Sequence, residues 1–289
     1  MKGGRWAEEA WEHVVTRYRV RDELYKSRTP FQAMEFVDTE QYGKMLLLDG
    51  MVQTTERDEF IYHEMMTHVP LFAHPEPRTV LIIGGGDGGI LREALRHPSI
   101  ERAVLVEIDE RVIEFSRKHL PGISQGSFDD PRVEIVVSDG AAYVQKTGET
   151  FDVAIVDSSD PIGPATVLFT REFYQQIAAH LNANGILTRQ TGSTFMQPKE
   201  AGGAIRLARP FFRHCAAYVF AVPTYIGGFF SSLFCSHGVD PLTFGETEGS
   251  RRWMALSGRL RYYTPGVHVG AFQLPGYVKE NIENGDEAL

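Results

Sequence analysis

Residues 79–89 read TVLIIGGGDGG, an apolar run that stops in glycines with one acid among them. ILREALRHP (90–98) follows with helical spacing. Apolar strand, glycine loop and helix together open a nucleotide-binding α/β sheet, and Gly84, Gly86 and Gly89 satisfy its G-x-G-x-x-G pattern. The rhythm repeats downstream. RAVLVEID (102–109) precedes ERVIEFSRKHL, RVEIVVSDG (132–140) precedes AAYVQKT, and FDVAIVDSSD (151–160) precedes TREFYQQIAAHL. Asn184-Gly185 reads as the cap of that last helix, and ILTRQTG (186–192) is the fifth apolar run. Strands this rich in Val, Ile and Leu are covered on both faces, so the expectation is an α/β fold with a parallel, doubly wound sheet.

Upstream the pattern differs. FQAMEFVDT, GKMLLLDG and MVQTTERD are short strands punctuated by Tyr42-Gly43 and Asp49-Gly50, which predicts a hairpin or meander. Residues 1–28 are charged and aromatic with weak helix or strand character, and EFIYHEMMTHVPLFAH (59–74) is helical. A small N-terminal β domain over residues 1–67 and a catalytic α/β domain over 68–289 are expected. Residues 216–235 carry no charge over the length of a membrane-spanning helix. Pro223, Gly227 and Gly228 interrupt them, so they read as two strands joined by PTYIGG at one edge of the sheet. Residues 238–252, with Arg251 and Arg252, read as a solvated surface loop.

The net charge of −9 disfavours nucleic acid and anionic membranes as partners and tolerates cationic small molecules. Two cysteines in 289 residues make no disulfide framework, and Cys235 reads as buried core. MKGGRWAEEAWEH has no apolar segment of signal-peptide type, so a cytoplasmic protein is expected.

The acids indicate the ligand. Glu107 closes the second strand, 18 residues past Gly89, where a carboxylate accepts from a ribose diol. Asp87, inside the glycine loop, would repel a pyrophosphate but suits a sulfonium or an ammonium. Asp139-Gly140 closes the third strand; Asp139 is either a helix cap or a contact to an adenine amine. Asp157 and Asp160 close the fourth strand on a loop stiffened by Pro161 and Pro164. Three strand ends bearing acids, together with Asp87, gather negative charge at one sheet edge, which is unfavourable unless a cation joins it. A sulfonium activates neighbouring carbon for attack by an amine, and an alkylammonium of pKa about 10 must first lose a proton to a nearby carboxylate. HEMMTH (63–68) does not have zinc spacing, since its histidines are five apart rather than four, and no metal is expected.

LDGMVQTTERDEFIYHEMMTHVPL, LIIGGGDGGILRE, VEID, DG at 139–140, DSSDPIGP and PTYIGG together resemble the spermidine synthases, or polyamine aminopropyltransferases, over roughly residues 20–280. The resemblance implies a Rossmann-like, methyltransferase-type domain behind a β-stranded N-terminal domain, assembled as a homodimer or homotetramer. It implies transfer of the aminopropyl group of decarboxylated S-adenosylmethionine, a co-substrate rather than a prosthetic group, to putrescine, giving spermidine and methylthioadenosine. By the same resemblance Asp157 is the proton acceptor. Asp160 holds the distal amine of the acceptor, and Gln53, Tyr62 and Tyr225 line its groove. Gln32, His63, Asp87, Glu107, Asp139, Gly140 and Pro164 fall on donor-binding positions. Many relatives carry Gln where His63 stands, and the imidazole can serve there as donor or acceptor. Residues 189–204 border the acceptor site and leave the preferred amine open among putrescine, cadaverine, agmatine and spermidine. Two other readings remain: an S-adenosylmethionine methyltransferase, whose cofactor carboxylate these acids would disfavour, and a polyamine-binding sensor without catalysis.

Overall fold

The computed structural model describes residues 4–158, 163–243 and 248–284. An N-terminal antiparallel meander comes first, formed by β1 (Trp6–Trp11), β2 (Val14–Arg28), β3 (Ala33–Thr39), β4 (Gly43–Leu48) and β5 (Met51–Thr55) in that spatial order. The 1–28 segment is thus strand. Asp49 and Gly50, at φ +48° and +83°, form the two-residue turn between β4 and β5, the left-handed pair that an Asp-Gly hairpin adopts. Alternate residues face opposite sides of this sheet. Met34, Phe36 and Leu46 pack with Val112 and Phe115 of the second domain, while Val37, Met45 and Leu47 bury against Tyr18 and Val20.

Helix α1 (Glu59–Ala73) leads into a seven-stranded sheet of order β11-β12-β10-β9-β6-β7-β8. Its parallel strands are β6 (Thr79–Gly84), β7 (Arg102–Glu107), β8 (Val133–Val137), β9 (Phe151–Asp157) and β10 (Leu181–Ser193). β11 (His214–Ala221) and β12 (Phe229–Ser236) extend one edge antiparallel, as the 216–235 stretch suggested. The connecting helices are α2 (Gly89–Leu95), α3 (Glu110–His119), α4 (Pro121–Ser124), α5 (Gly140–Lys146), α6 (Arg171–Ala179) and α7 (Glu200–Ala208). α8 (Glu248–Leu256), α9 (Pro265–Ala271) and α10 (Gly276–Asn284) follow the last strand. Val80 and Ile82 bury with α1 and α2, and Leu81 and Ile83 bury with α5 to α7. Both faces of β6 are therefore core, which is why its sequence is an unbroken apolar run. The boundary expected at residue 67 lies inside α1, whose apolar residues join the core of the seven-stranded sheet.

Two expectations are corrected. Asn184-Gly185 lies in the first part of β10; α6 ends at Ala179 with His180 as its cap. Within 238–252, residues 248–252 begin α8, and Arg252 is structural rather than solvated. It donates to the carbonyls of Leu71 (3.0 Å), Phe72 (3.2 Å) and His74 (2.5 Å), which the end of α1 leaves unpaired within the helix. Buried carboxylates tie the two domains and the C-terminal segment together. Asp58 accepts from Thr55 and from both the N–H and hydroxyl of Thr224, and Tyr18 donates to the Thr224 carbonyl. Glu64 accepts from the backbone N–H groups of Arg261, Tyr262 and Tyr263, each at 2.8 Å. Glu64→Ala leaves three backbone donors without their acceptor, one of them on buried Tyr263, so it should lower unfolding stability by about 2 kcal/mol, whereas the exposed Glu76→Ala should change it by less than about 0.5 kcal/mol. Urea unfolding of the two variants checks this; equal effects would contradict the assigned role of Glu64.

Candidate active site

The site begins with the register of the parallel strands. Gly84 pairs with Asp157 across β6 and β9, and Glu107 closes β7 one step beyond the Ile83–Val106 pair. The glycine loop therefore passes between two carboxylates. A Cβ on Gly84, whose φ is +80°, would meet the Asp157 carbonyl oxygen at 2.0 Å, and one on Gly86 would meet Glu107 Oε2 at 2.9 Å. Only glycine allows the backbone this close to both acids.

Above the loop is a cavity of about 280 Å³ lined from both domains. Near Glu107 it is bounded by Asp139, Gly140, Gln32 and Val112. Asp139 accepts from the Ala142 N–H at 2.8 Å, so it caps α5 while also facing the cavity. Gln32 donates to Asp109, the cap of α3. Around Asp157 the cavity is aromatic: Tyr62 and Tyr225 lie 5.4 Å apart between ring centroids, with Phe230 5.0 Å from Tyr225. Tyr225 donates to the Gln53 carbonyl at 2.6 Å. Of the residues expected from sequence, Gln32, Gln53, Tyr62, His63, Asp87, Glu107, Asp139, Gly140, Asp157 and Tyr225 all line this one cavity. Asp160 lies outside the described residues. Pro164 falls in the 3₁₀ turn Gly163–Phe169, from which Ala165 and Leu168 reach the cavity wall. Sequence reading missed the apolar wall contributed by the N-terminal sheet, Leu46, Leu48 and Met51, because alternation shows which face of a strand is buried but not what lies across from it.

Tyr62 donates to Asp157 Oδ1 at 2.5 Å. Burial and the charge of Asp87 push the Asp157 carboxyl up to about 6, against the Tyr62 hydrogen bond and His63. Burial pushes Glu107 up to about 7; the N–H of Asp109 opposes this and the Asp109 charge adds to it. Asp87 behaves otherwise. Burial disfavours its charge, but the His63 ring 3.2 Å away, the N–H of Gly89 and Arg92 outweigh this and hold it below the usual carboxylate range. His63 sits between Asp87 and Glu59, 2.5 Å from Glu59, and these two acids overcome its own burial to raise it to about 10. It is an imidazolium that donates from both nitrogens, not a neutral ring free to accept. Arg92 donates to both oxygens of Glu59, at 2.8 Å to the Oε2 that His63 also contacts and at 3.1 Å to Oε1. Glu59 and Arg92 were not among the expected site residues. Glu59 was recoverable, since it stands four residues before His63 on a helix; nothing in the sequence pointed to Arg92. His68 faces away, bonded to His97 and Glu93, and among the described residues no group of three or more His, Cys, Asp or Glu side chains is arranged to hold a metal ion.

An imidazolium raised from about 6.5 in the unfolded chain to about 10 in the fold contributes stability that is complete below about pH 6.5 and lost as pH rises through 10. Between pH 7 and 10 the protein should therefore lose stability, and His63→Gln should lose markedly less over the same interval. Urea unfolding across that range tests the charge state; parallel curves for the two proteins would contradict it.

Comparison with known proteins accords with this geometry. Residues 59–243 match the spermine/spermidine synthase domain, and residues 6–56 match the spermidine synthase tetramerisation domain. The chain is 45% identical to a polyamine aminopropyltransferase of Ruegeria sp. (strain TM1040), over 94% of this chain and 96% of the relative. It is 44% identical to that of Moorella thermoacetica, over 99% of each. A solved spermidine synthase in complex with the transition state analogue AdoDATO superposes with a TM-score of 0.92 at 39% identity, covering 98% of this chain and 97% of that one. The spermidine synthase of Thermotoga maritima gives 0.89 at 39% identity, covering 97% and 96%. With the glycine loop, the acids at the strand ends and the aromatic groove in the places the motifs implied, this chain belongs to the spermidine synthase family and is an aminopropyltransferase.

Proposed function

We propose that this enzyme transfers the aminopropyl group of decarboxylated S-adenosylmethionine to putrescine. The observation that carries the reading is Asp157, a carboxylate pushed up to about 6 between the glycine loop and an aromatic groove, where an amine's proton has to go. The donor's ribose diol donates to Glu107, its adenine lies near Asp139 and Gly140, and its ammonium meets Asp87. The acids around the loop disfavour the carboxylate of intact S-adenosylmethionine, which supports aminopropyl over methyl transfer. Putrescine lies along Tyr62 and Tyr225, whose hydroxyls burial and the Asp157 charge keep protonated. Asp157 takes one proton from the near amine. The free lone pair attacks the methylene beside sulfur, the C–S bond breaks, and its electron pair leaves on methylthioadenosine. Asp160 and Pro164 keep the roles implied by resemblance, as holder of the distal amine and part of the donor loop. The family's tetramerisation domain over residues 6–56 supports assembly as a homotetramer through the N-terminal sheet.

Steady-state kinetics with the decarboxylated donor and a panel of diamines test this, with product mass spectrometry. Spermidine and methylthioadenosine are expected, with putrescine giving the highest kcat/KM. Methyl transfer from intact S-adenosylmethionine, or no product from any amine, would overturn the reading. Activity should fall as pH drops through about 6, because the base must be ionised. Asp157→Asn should reduce kcat by about 10²–10⁴-fold, with partial recovery at high pH. Tyr62→Phe removes a hydrogen bond that stabilises the carboxylate, so its acid limb should move to higher pH. An unmoved limb would separate Tyr62 from the base.

A further inference from the structure

Cys215 and Cys235 occupy directly opposed positions on the antiparallel strands β11 and β12. Opposed residues in such a pair have Cα atoms about 4.5 or 5.5 Å apart, both within the span a disulfide bridges. Both thiols are free, with Sγ atoms 3.0 Å apart. Their surroundings differ. Cys235 is fully buried, whereas Cys215 is partly exposed on the edge strand. We propose that the pair is a reversible oxidation site at which a small-molecule disulfide, such as oxidised glutathione, converts the two thiols to a cross-strand bridge.

The asymmetry sets the order of events. The Cys235 contact and the positive charge of Arg209 favour the Cys215 thiolate against its burial, while burial pushes the Cys235 thiol up. Cys215 thiolate attacks one sulfur of oxidised glutathione, the S–S bond breaks, and one glutathione thiolate leaves. Cys235 then gives up its proton and attacks the Cys215 sulfur of the mixed disulfide, releasing the second glutathione. Two protein thiols are oxidised and one external disulfide is reduced to two thiols. Both sulfurs lie on the sheet face that packs against α6 and α7, whereas Tyr62 and Phe230 belong to the core on the other face, so the bridge leaves the reacting groups untouched. It would fasten the base of the hairpin whose turn carries Tyr225.

Intact-mass measurement of the native protein after exposure to oxidised glutathione, followed by peptide mapping without reduction, tests the proposal. The expected product has lost two hydrogens, joins the Cys215 and Cys235 peptides of one chain, and reverts with dithiothreitol. Cys235→Ser should stop at a single glutathione adduct on Cys215, and Cys215→Ser should acquire none. Two thiols still open to alkylation, a wild-type product that stops at the adduct, a bridge between chains, or an adduct on Cys235 in Cys215→Ser would each overturn it.

Discussion

A carboxylate is stable away from water only where hydrogen bonds or opposite charge replace the hydration it loses. Asp87, Glu107 and Asp157 converge on one cavity, and among the described residues the cation between them is His63, backed across Glu59 by Arg92. That alternating row satisfies Asp87 and extends no further. Glu107 and Asp157 remain poorly compensated and are pushed to about 7 and about 6. The protein thus holds two acids near neutrality in a site whose proposed ligands bring a sulfonium and ammonium groups. Under the proposed function this deficit of positive charge acts as a selection rule, because it favours a cation and penalises a donor that retains its carboxylate.

The rest of the fold places and keeps this arrangement. Parallel register brings the ends of β6, β7 and β9 level, and the glycine loop narrows the backbone enough for two acids to flank it. Helix α1 presents Glu59, Tyr62 and His63 from a buried position, while its Glu64 fastens the C-terminal segment. The N-terminal meander closes the cavity with Leu46, Leu48 and Met51. Asp58 and Tyr18 fix that meander to the turn that carries Tyr225, so both sheets are needed for one site.

Much of this was legible in the sequence because the signals were local. The parallel strands showed as apolar runs, the loop as glycines, and the hairpin as Asp49-Gly50. The acids at strand ends could be placed because topology alone puts strand ends on one edge. What was not legible depended on distant pairing. Asn184-Gly185 has the composition of a helix cap but is drawn into β10, and Arg252 looked solvated although carbonyls 178–181 residues away hold it. The charge of His63 could not be read from its identity, since Asp87 and Glu59 set it in three dimensions.

The account rests on the site being short of positive charge until a cationic ligand arrives, and proton release measures that directly. Calorimetric titration with decarboxylated S-adenosylmethionine between pH 6 and 7, repeated in buffers of different ionisation enthalpy, reports protons lost on binding. Binding should drive Glu107 and Asp157 to their ionised forms, so the observed heat should vary with the buffer in the sense of proton release. A heat independent of the buffer would show that these acids were already ionised and would contradict the account.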